Sequence, residues 1–86
     1  PQKGDKGLAL QYLRQKLAID ADRTAVCGDS GNDIALLAGE EKGIIVGNAK
    51  PELYQWYQNN QTDSRYFSKA GYAAGIIEGL EYFGFL

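Results

Sequence analysis

Residues 24–37 read Thr24-Ala25-Val26-Cys27-Gly28-Asp29-Ser30-Gly31-Asn32-Asp33-Ile34-Ala35-Leu36-Leu37, and this stretch decides the fold. An apolar run over 24–27 has strand character, a polar turn over 28–33 follows it, and the next apolar run fits a helix over 31–38. A strand that passes through a turn into a helix is the repeating unit of a parallel α/β sheet with right-handed crossovers. Open sheets of this kind place their ligands at the carboxyl ends of the strands. Two carboxylates, a carboxamide, a hydroxyl and two glycines stand at that end here.

Upstream, Ala9, Leu10, Leu13 and Leu17 recur at three- and four-residue spacing, with Gln11, Arg14 and Gln15 on the other side. This predicts an amphipathic helix over 6–17, with Asp5 as its N-cap. Downstream, Gly39 suits the left-handed position that closes a helix. Gly43-Ile44-Ile45-Val46-Gly47 is β-branched and uninterrupted, which predicts a strand buried on both faces. A third helix starts near Pro51, which the first turn tolerates, with Asn48 placed to cap it and with Leu53, Trp56 and Tyr57 on one face. Arg65-Tyr66-Phe67-Ser68 fits a short strand. Ala73, Ile76, Ile77, Leu80 and Phe83 mark a packing helix over 70–83, with Glu78 and Glu81 facing away. Two clear strands and one short one are few for a parallel sheet, so partner strands outside this chain are expected.

The 86 residues carry a net charge of −2 with both signs interspersed, so no footprint for nucleic acid or an anionic membrane is present. The apolar runs are far shorter than the roughly 20 residues that span a bilayer, and no signal-peptide pattern opens the chain; a soluble, cytoplasmic location is expected. The single cysteine, Cys27, lies in an apolar run and reads as a small buried hydrophobe. The lack of histidine removes the usual general base and the usual nitrogen ligand, so a metal here must be held by oxygen. The chain has no methionine and begins at Pro1, which leads us to expect a piece of a longer protein, without an internal linker or repeat.

Three motif readings compete for 28–33. Gly28-Asp29-Ser30-Gly31 echoes a serine-protease loop, but that reaction needs a base that the chain does not supply. The elbow G-x-S-x-G fails at Asn32, and the phosphate-binding GxxxxGK[ST] and dinucleotide GxGxxG spacings are absent. The third reading is an oxygen-ligand site. If the helix begins near Ser30, Asp29 lies at its cap and Asp33 about one turn later, so both carboxylates can face the strand end. Magnesium takes one or two carboxylates plus water and phosphate oxygens, and a helix start favours phosphate. The plainer alternative is that Asp29 and Ser30 only cap the helix while Asp33 complements its dipole, for about 1 kcal/mol or less each.

Lys6-Gly7 opening a helix, then Gly28-Asp29-Ser30-Gly31-Asn32-Asp33 after a strand, then Gly43-Ile44-Ile45-Val46-Gly47-Asn48-Ala49, resemble the third and fourth motifs of the haloacid dehalogenase-like (HAD-like) phosphatases. Asn48-Ala49-Lys50-Pro51-Glu52-Leu53 with Trp56-Tyr57, and Ala73-Ala74-Gly75-Ile76-Ile77-Glu78 ending in Phe83-Gly84-Phe85-Leu86, are similar to the carboxyl end of bacterial sucrose-phosphate phosphatases. The resemblance implies an α/β fold, a three-layer Rossmann-type parallel sheet present only as its C-terminal βα units. Residues 1–86 would form the C-terminal portion of the core, with the first-motif strand and the cap domain elsewhere. It also implies hydrolysis of a sugar phosphate, sucrose 6-phosphate above all, through an aspartyl-phosphate with Mg²⁺ bound.

On that pattern Asp29 ligates Mg²⁺, and Asp33 holds a metal-bound water or Lys6. Lys6 neutralises the nucleophile and the transferring phosphoryl group, Asn32 contacts phosphate or orients the loop, and Ser30 is a loop residue. The nucleophilic aspartate lies outside the chain, so the chain alone should not turn over, and its partners are a sugar phosphate and the remainder of the phosphatase polypeptide. Asp20-Ala21-Asp22-Arg23-Thr24 spells the nucleophile motif D-x-D-x-T but precedes the strand that carries Asp29, which is the wrong end. Two alternatives stay open: an inactive phosphatase-like binding or regulatory module, and a phosphatase for another hexose phosphate. Tyr54, Trp56, Tyr57, Tyr66 and Tyr72 read as packing aromatics rather than a sugar platform.

Overall fold

The uninterrupted apolar run at 43–47 supplies the middle of a parallel sheet. The computed structural model describes residues 6–86, with side chains from residue 7 onward. Among them β1 (Ala25–Gly28), β2 (Lys42–Ile45) and β3 (Arg65–Phe67) lie in the order β1-β2-β3, all parallel. Register pairs Cys27 with Ile44 and Ile44 with Tyr66. Flanked by a strand on each edge and helices on both faces, Ile44 and Ile45 expose nothing, as a central parallel strand requires.

The helices are α1 (Lys6–Leu17), α2 (Ile34–Leu37), α3 (Pro51–Asn59) and α4 (Tyr72–Tyr82). On one face of the sheet Val26 and Ile45 pack with Leu37 of α2 and Leu53 of α3. Truncating Leu53, which is fully buried, is the kind of change that costs about 2–5 kcal/mol. On the opposite face α4 crosses β2 so closely that a Cβ on Gly79 would stand 2.5 Å from Ile44 Cγ2. The result is helix, sheet, helix, with α1 laid on α2 outside the first layer.

Elements match the sequence pattern closely, and faces match it less well. The helix after β1 begins as one 3₁₀ turn, Gly31–Asp33, before the four residues of α2. The expected apolar face of α1 is only partly used: Leu13 and Leu17 are exposed, and the helix turns Gly7, Leu10 and Arg14 inward instead. Arg14 Nε donates to buried Glu41 Oε2 at 2.7 Å, and its Nη1 donates to the Ile19 carbonyl at 3.2 Å. A carboxylate as buried as Glu41 must be paired, so the ion pair decides which face docks. At Gly7 a Cβ would stand 2.7 Å from the Ala35 carbonyl oxygen, so the two backbones touch.

Four further readings are corrected. Among the described residues positive φ occurs at Ala18, Tyr72 and Gly84, not at Gly39; Gly39 instead leaves room for Glu41, whose Oε1 would lie 2.5 Å from an added Cβ. Asn48 does not cap α3, whose N-cap position belongs to Lys50; its Oδ1 accepts the Tyr72 N–H at 2.7 Å, at the start of α4. On α4 the buried positions are Gly75 and Gly79, while Ala73 and Ile77 are exposed. Glu78, expected to face away, turns back toward Tyr66 and residues 69–70. Asp5, the expected N-cap of α1, lies outside the described residues. No helix among them is long and apolar enough to cross a membrane.

Candidate functional site

β1 ends at Gly28, and the chain must leave the sheet there without blocking the helix that follows. Gly28 does this by having no side chain: a Cβ would stand 2.7 Å from Leu37 Cδ1 and 2.8 Å from Asp33 Cβ. The turn then folds around one carboxylate. Asp33 Oδ2 accepts the N–H of Asp29 at 3.0 Å and of Ser30 at 3.3 Å, while the Asp33 N–H reaches the Ser30 carbonyl at 3.0 Å. Ser30 is therefore the residue that caps the 3₁₀ turn, and the acid at its third position satisfies the donors that a helix start leaves open.

Asp29 and Asp33 line the same groove, an open hollow of about 420 Å³ that runs from the ends of β1 and β2 to the first turns of α4. Cys27, Val46, Ala73 and Ile76 make its apolar walls; Asn48 and Tyr72 add polar groups. The structure thus brings together two of the four residues picked from sequence. Asn32 is exposed at the tip of the turn and is not among the groove's lining residues. Lys6 opens α1, but its side chain lies outside the described residues.

Among the described residues no group of three or more His, Cys, Asp and Glu side chains gathers to hold a metal. What the groove offers is a carboxylate pair, and a pair fits magnesium, which keeps several waters and takes one or two carboxylates plus phosphate oxygens. Asp29 has an exposed side chain, open to an incoming cation. Cys27 is half-buried rather than buried, and burial pushes its thiol pKa up, away from the thiolate that nucleophilic chemistry needs.

Two groove residues have other readings in the sequence: Asn48 belongs to the family-like run 43–49 and is expected to cap α3, and Tyr72 is expected to be a packing aromatic. Tyr72 holds φ +53°, a left-handed conformation that costs a non-glycine residue about 1–3 kcal/mol, and the 2.7 Å bond to Asn48 helps keep it there. A bond between positions 24 apart leaves no local pattern. The D-x-D-x-T lookalike lies where expected: Ala21–Arg23 is a 3₁₀ turn before β1, with Asp22 exposed and 3.6 Å from Lys42 Nζ, at the opposite end of the strand from Asp29.

Comparison with known proteins shows the family and the fold. A model of the family described as sucrose-6F-phosphate phosphohydrolase matches residues 1–84. The chain is 44% identical over 86 residues to a mannosylfructose-phosphate phosphatase of Agrobacterium fabrum, covering 98% of this chain and 34% of that protein. It is 42% identical over 89 residues to sucrose-phosphatase 1 of Nicotiana tabacum, covering 96% of this chain and 21% of that protein. The crystal structure of the sucrose-phosphatase of Synechocystis sp. PCC6803, in complex with sucrose and phosphate, superposes with a TM-score of 0.86 at 44% identity, over 90% of this chain and 32% of that one. The chain therefore spans about a third or less of each relative's length.

Proposed function

Because this chain belongs to the sucrose-6F-phosphate phosphohydrolase family, of HAD-like fold, we propose that it is the C-terminal portion of the core of a Mg²⁺-dependent sugar-phosphate phosphatase acting on sucrose 6-phosphate. The observation that carries this reading is the shared groove: Asp29 and Asp33 line one hollow at the carboxyl end of a parallel strand, in a chain 44% identical to a protein solved with sucrose and phosphate.

Each residue has a defined task in this reading. Asp29 supplies a ligand oxygen to Mg²⁺. Asp33 has two tasks: its Oδ2 holds the turn through two backbone amides, and its carboxylate orients a water or Lys6. Lys6 offsets negative charge on the phosphoryl group, and Asn32 at the turn tip hydrogen-bonds phosphate or steadies the turn. Bound Mg²⁺ supplies charge neutralisation at the phosphoryl oxygens. The nucleophile is an aspartate from elsewhere in the polypeptide, which takes the phosphoryl group as an aspartyl-phosphate while the sugar O–P bond breaks and the sugar leaves with its hydroxyl restored; water then hydrolyses the aspartyl-phosphate to inorganic phosphate.

In the complete polypeptide, Asp29→Asn is expected to abolish Mg²⁺-dependent phosphate release from sucrose 6-phosphate, and wild-type rates in that variant would sink the metal assignment. A second substrate is favoured by the 44% identity to a mannosylfructose-phosphate phosphatase. A panel of disaccharide and hexose phosphates separates the two by the ratio of kcat/KM values.

A further inference from the structure

The turn that carries Asp29 and Asp33 is braced from outside. Its three successive amides all point at carboxylate oxygens: those of Asp29 and Ser30 at Asp33 Oδ2, and that of Gly31 at Glu52 Oε2, 3.4 Å away in the first turn of α3. A second strut lies beside it, since the Lys50 N–H donates to the Asp29 carbonyl at 2.8 Å. Gly31 leaves the room this needs; a Cβ there would stand 2.8 Å from Glu52 Cγ, so any larger residue would push the glutamate off the turn.

Resting on the metal reading above, we propose that Glu52 is a positioning residue for the Asp29–Asp33 pair. It is not among the groove's lining residues and acts only through Gly31. With the Gly31 amide reaching exposed Glu52 on α3 and the Asp29 carbonyl bonded to the Lys50 N–H, the backbone on both sides of Ser30 is tied to the start of one helix. The two carboxylates are then presented with little freedom to lose when a cation binds. Groups hydrogen-bonded directly to a metal ligand commonly change metal affinity by about 10–100-fold when removed; Glu52 bonds the backbone between the two carboxylates rather than either one, which puts its effect at the low end of that range. The competing role is that Glu52, an acid in the first turn of α3, only complements that helix's dipole. The two roles differ in what they require, because positioning needs an acceptor oxygen whereas the dipole needs a charge.

Glu52→Gln keeps the oxygen and loses the charge, and Glu52→Ala loses both. In the complete polypeptide, calorimetric titration with Mg²⁺ alone is expected to show affinity weakened by up to about 10-fold in Glu52→Ala and restored in Glu52→Gln. Hydrogen exchange at the Gly31 amide should be fast in the alanine variant and slow in the glutamine variant and the wild type. Unchanged Mg²⁺ affinity in Glu52→Ala overturns the proposal, as does a glutamine variant as impaired as the alanine one. If the wild type binds no Mg²⁺, the functional reading fails instead, and Gly31 exchange alone decides: protection lost with alanine and kept with glutamine supports the brace, and any other pattern overturns it.

Discussion

Ala18 closes α1 at φ +56°. The Ile19 N–H reaches the Arg14 carbonyl at 2.9 Å and the Ala18 N–H reaches the Gln15 carbonyl at 3.3 Å, the two bonds of a Schellman end. α4 ends in the same way, with Phe85 N–H on Leu80 and Gly84 N–H on Glu81, and there a glycine takes the left-handed position at φ +83°. Left-handed backbone costs a residue with a Cβ about 1–2 kcal/mol, and only part of that is offset by the greater freedom of glycine in the unfolded chain. Ala18→Gly is therefore expected to stabilise the fold by about 0.5–1 kcal/mol. A urea unfolding curve with a higher midpoint and unchanged slope checks it; a lower midpoint contradicts the account of this helix end.

At the scale of elements, one carboxylate fastens α4 to the sheet. Glu78 accepts the Tyr66 hydroxyl of β3 at 2.5 Å and the N–H groups of Lys69 and Ala70 at 2.9 and 3.0 Å. Tyr66 first, then these two amides, hold the Glu78 carboxyl below its ordinary value of 4.5, and the Glu78 hydrogen bond pushes the Tyr66 hydroxyl above its ordinary 10.0. A depressed folded-state pKa means the unfolded chain takes up the proton first as pH falls. The stability that Glu78 contributes is thus present above about pH 4.5 and is lost as pH drops through that value toward the lower folded one. Tyr66 has the opposite sign: its contribution holds below pH 10 and is lost as pH rises through its raised value. Glu78→Gln should lower the melting temperature at neutral pH, and the gap from wild type should close in acid; a gap that stays constant down to pH 3 would show that the charge plays no part.

At the scale of the molecule, exposed apolar side chains lie on α1 (Leu8, Leu13, Leu17) and on α4 (Ile77, with Tyr72 at its start), and among the described residues β1 pairs on one edge only. The groove is lined by the end of β1, with Asp29 and Asp33, and by the first turns of α4, and β1 is the strand with that unpaired edge. In the reading proposed here the nucleophilic aspartate comes from that side. The 86-residue chain by itself is accordingly expected to release no phosphate above background from sucrose 6-phosphate with Mg²⁺. Clear turnover that Asp29→Asn removes would refute the placement of the nucleophile outside this chain.

What the sequence determined by itself is what depends on neighbours along the chain. Period and punctuation predict α1 over 6–17, a buried strand at 43–47, a short strand at Arg65 and the acidic turn after β1, because hydrophobic spacing, glycine and proline act within a few residues. Tertiary structure alone decided which faces those elements turn inward. Arg14 goes in because Glu41, 27 positions away, is buried and must be paired; Gly75 and Gly79 make the inner face of α4 because closeness to Ser68 and Ile44 outweighs the apolar count. The turn at 28–33 shows both sides of this division. Its carboxylates and glycines are legible at once, and Asp33 closes it locally, whereas the outside contacts, from Lys50 and Glu52 at the start of α3, come from 21 residues downstream and exist only once the sheet has brought β1 and β2 together.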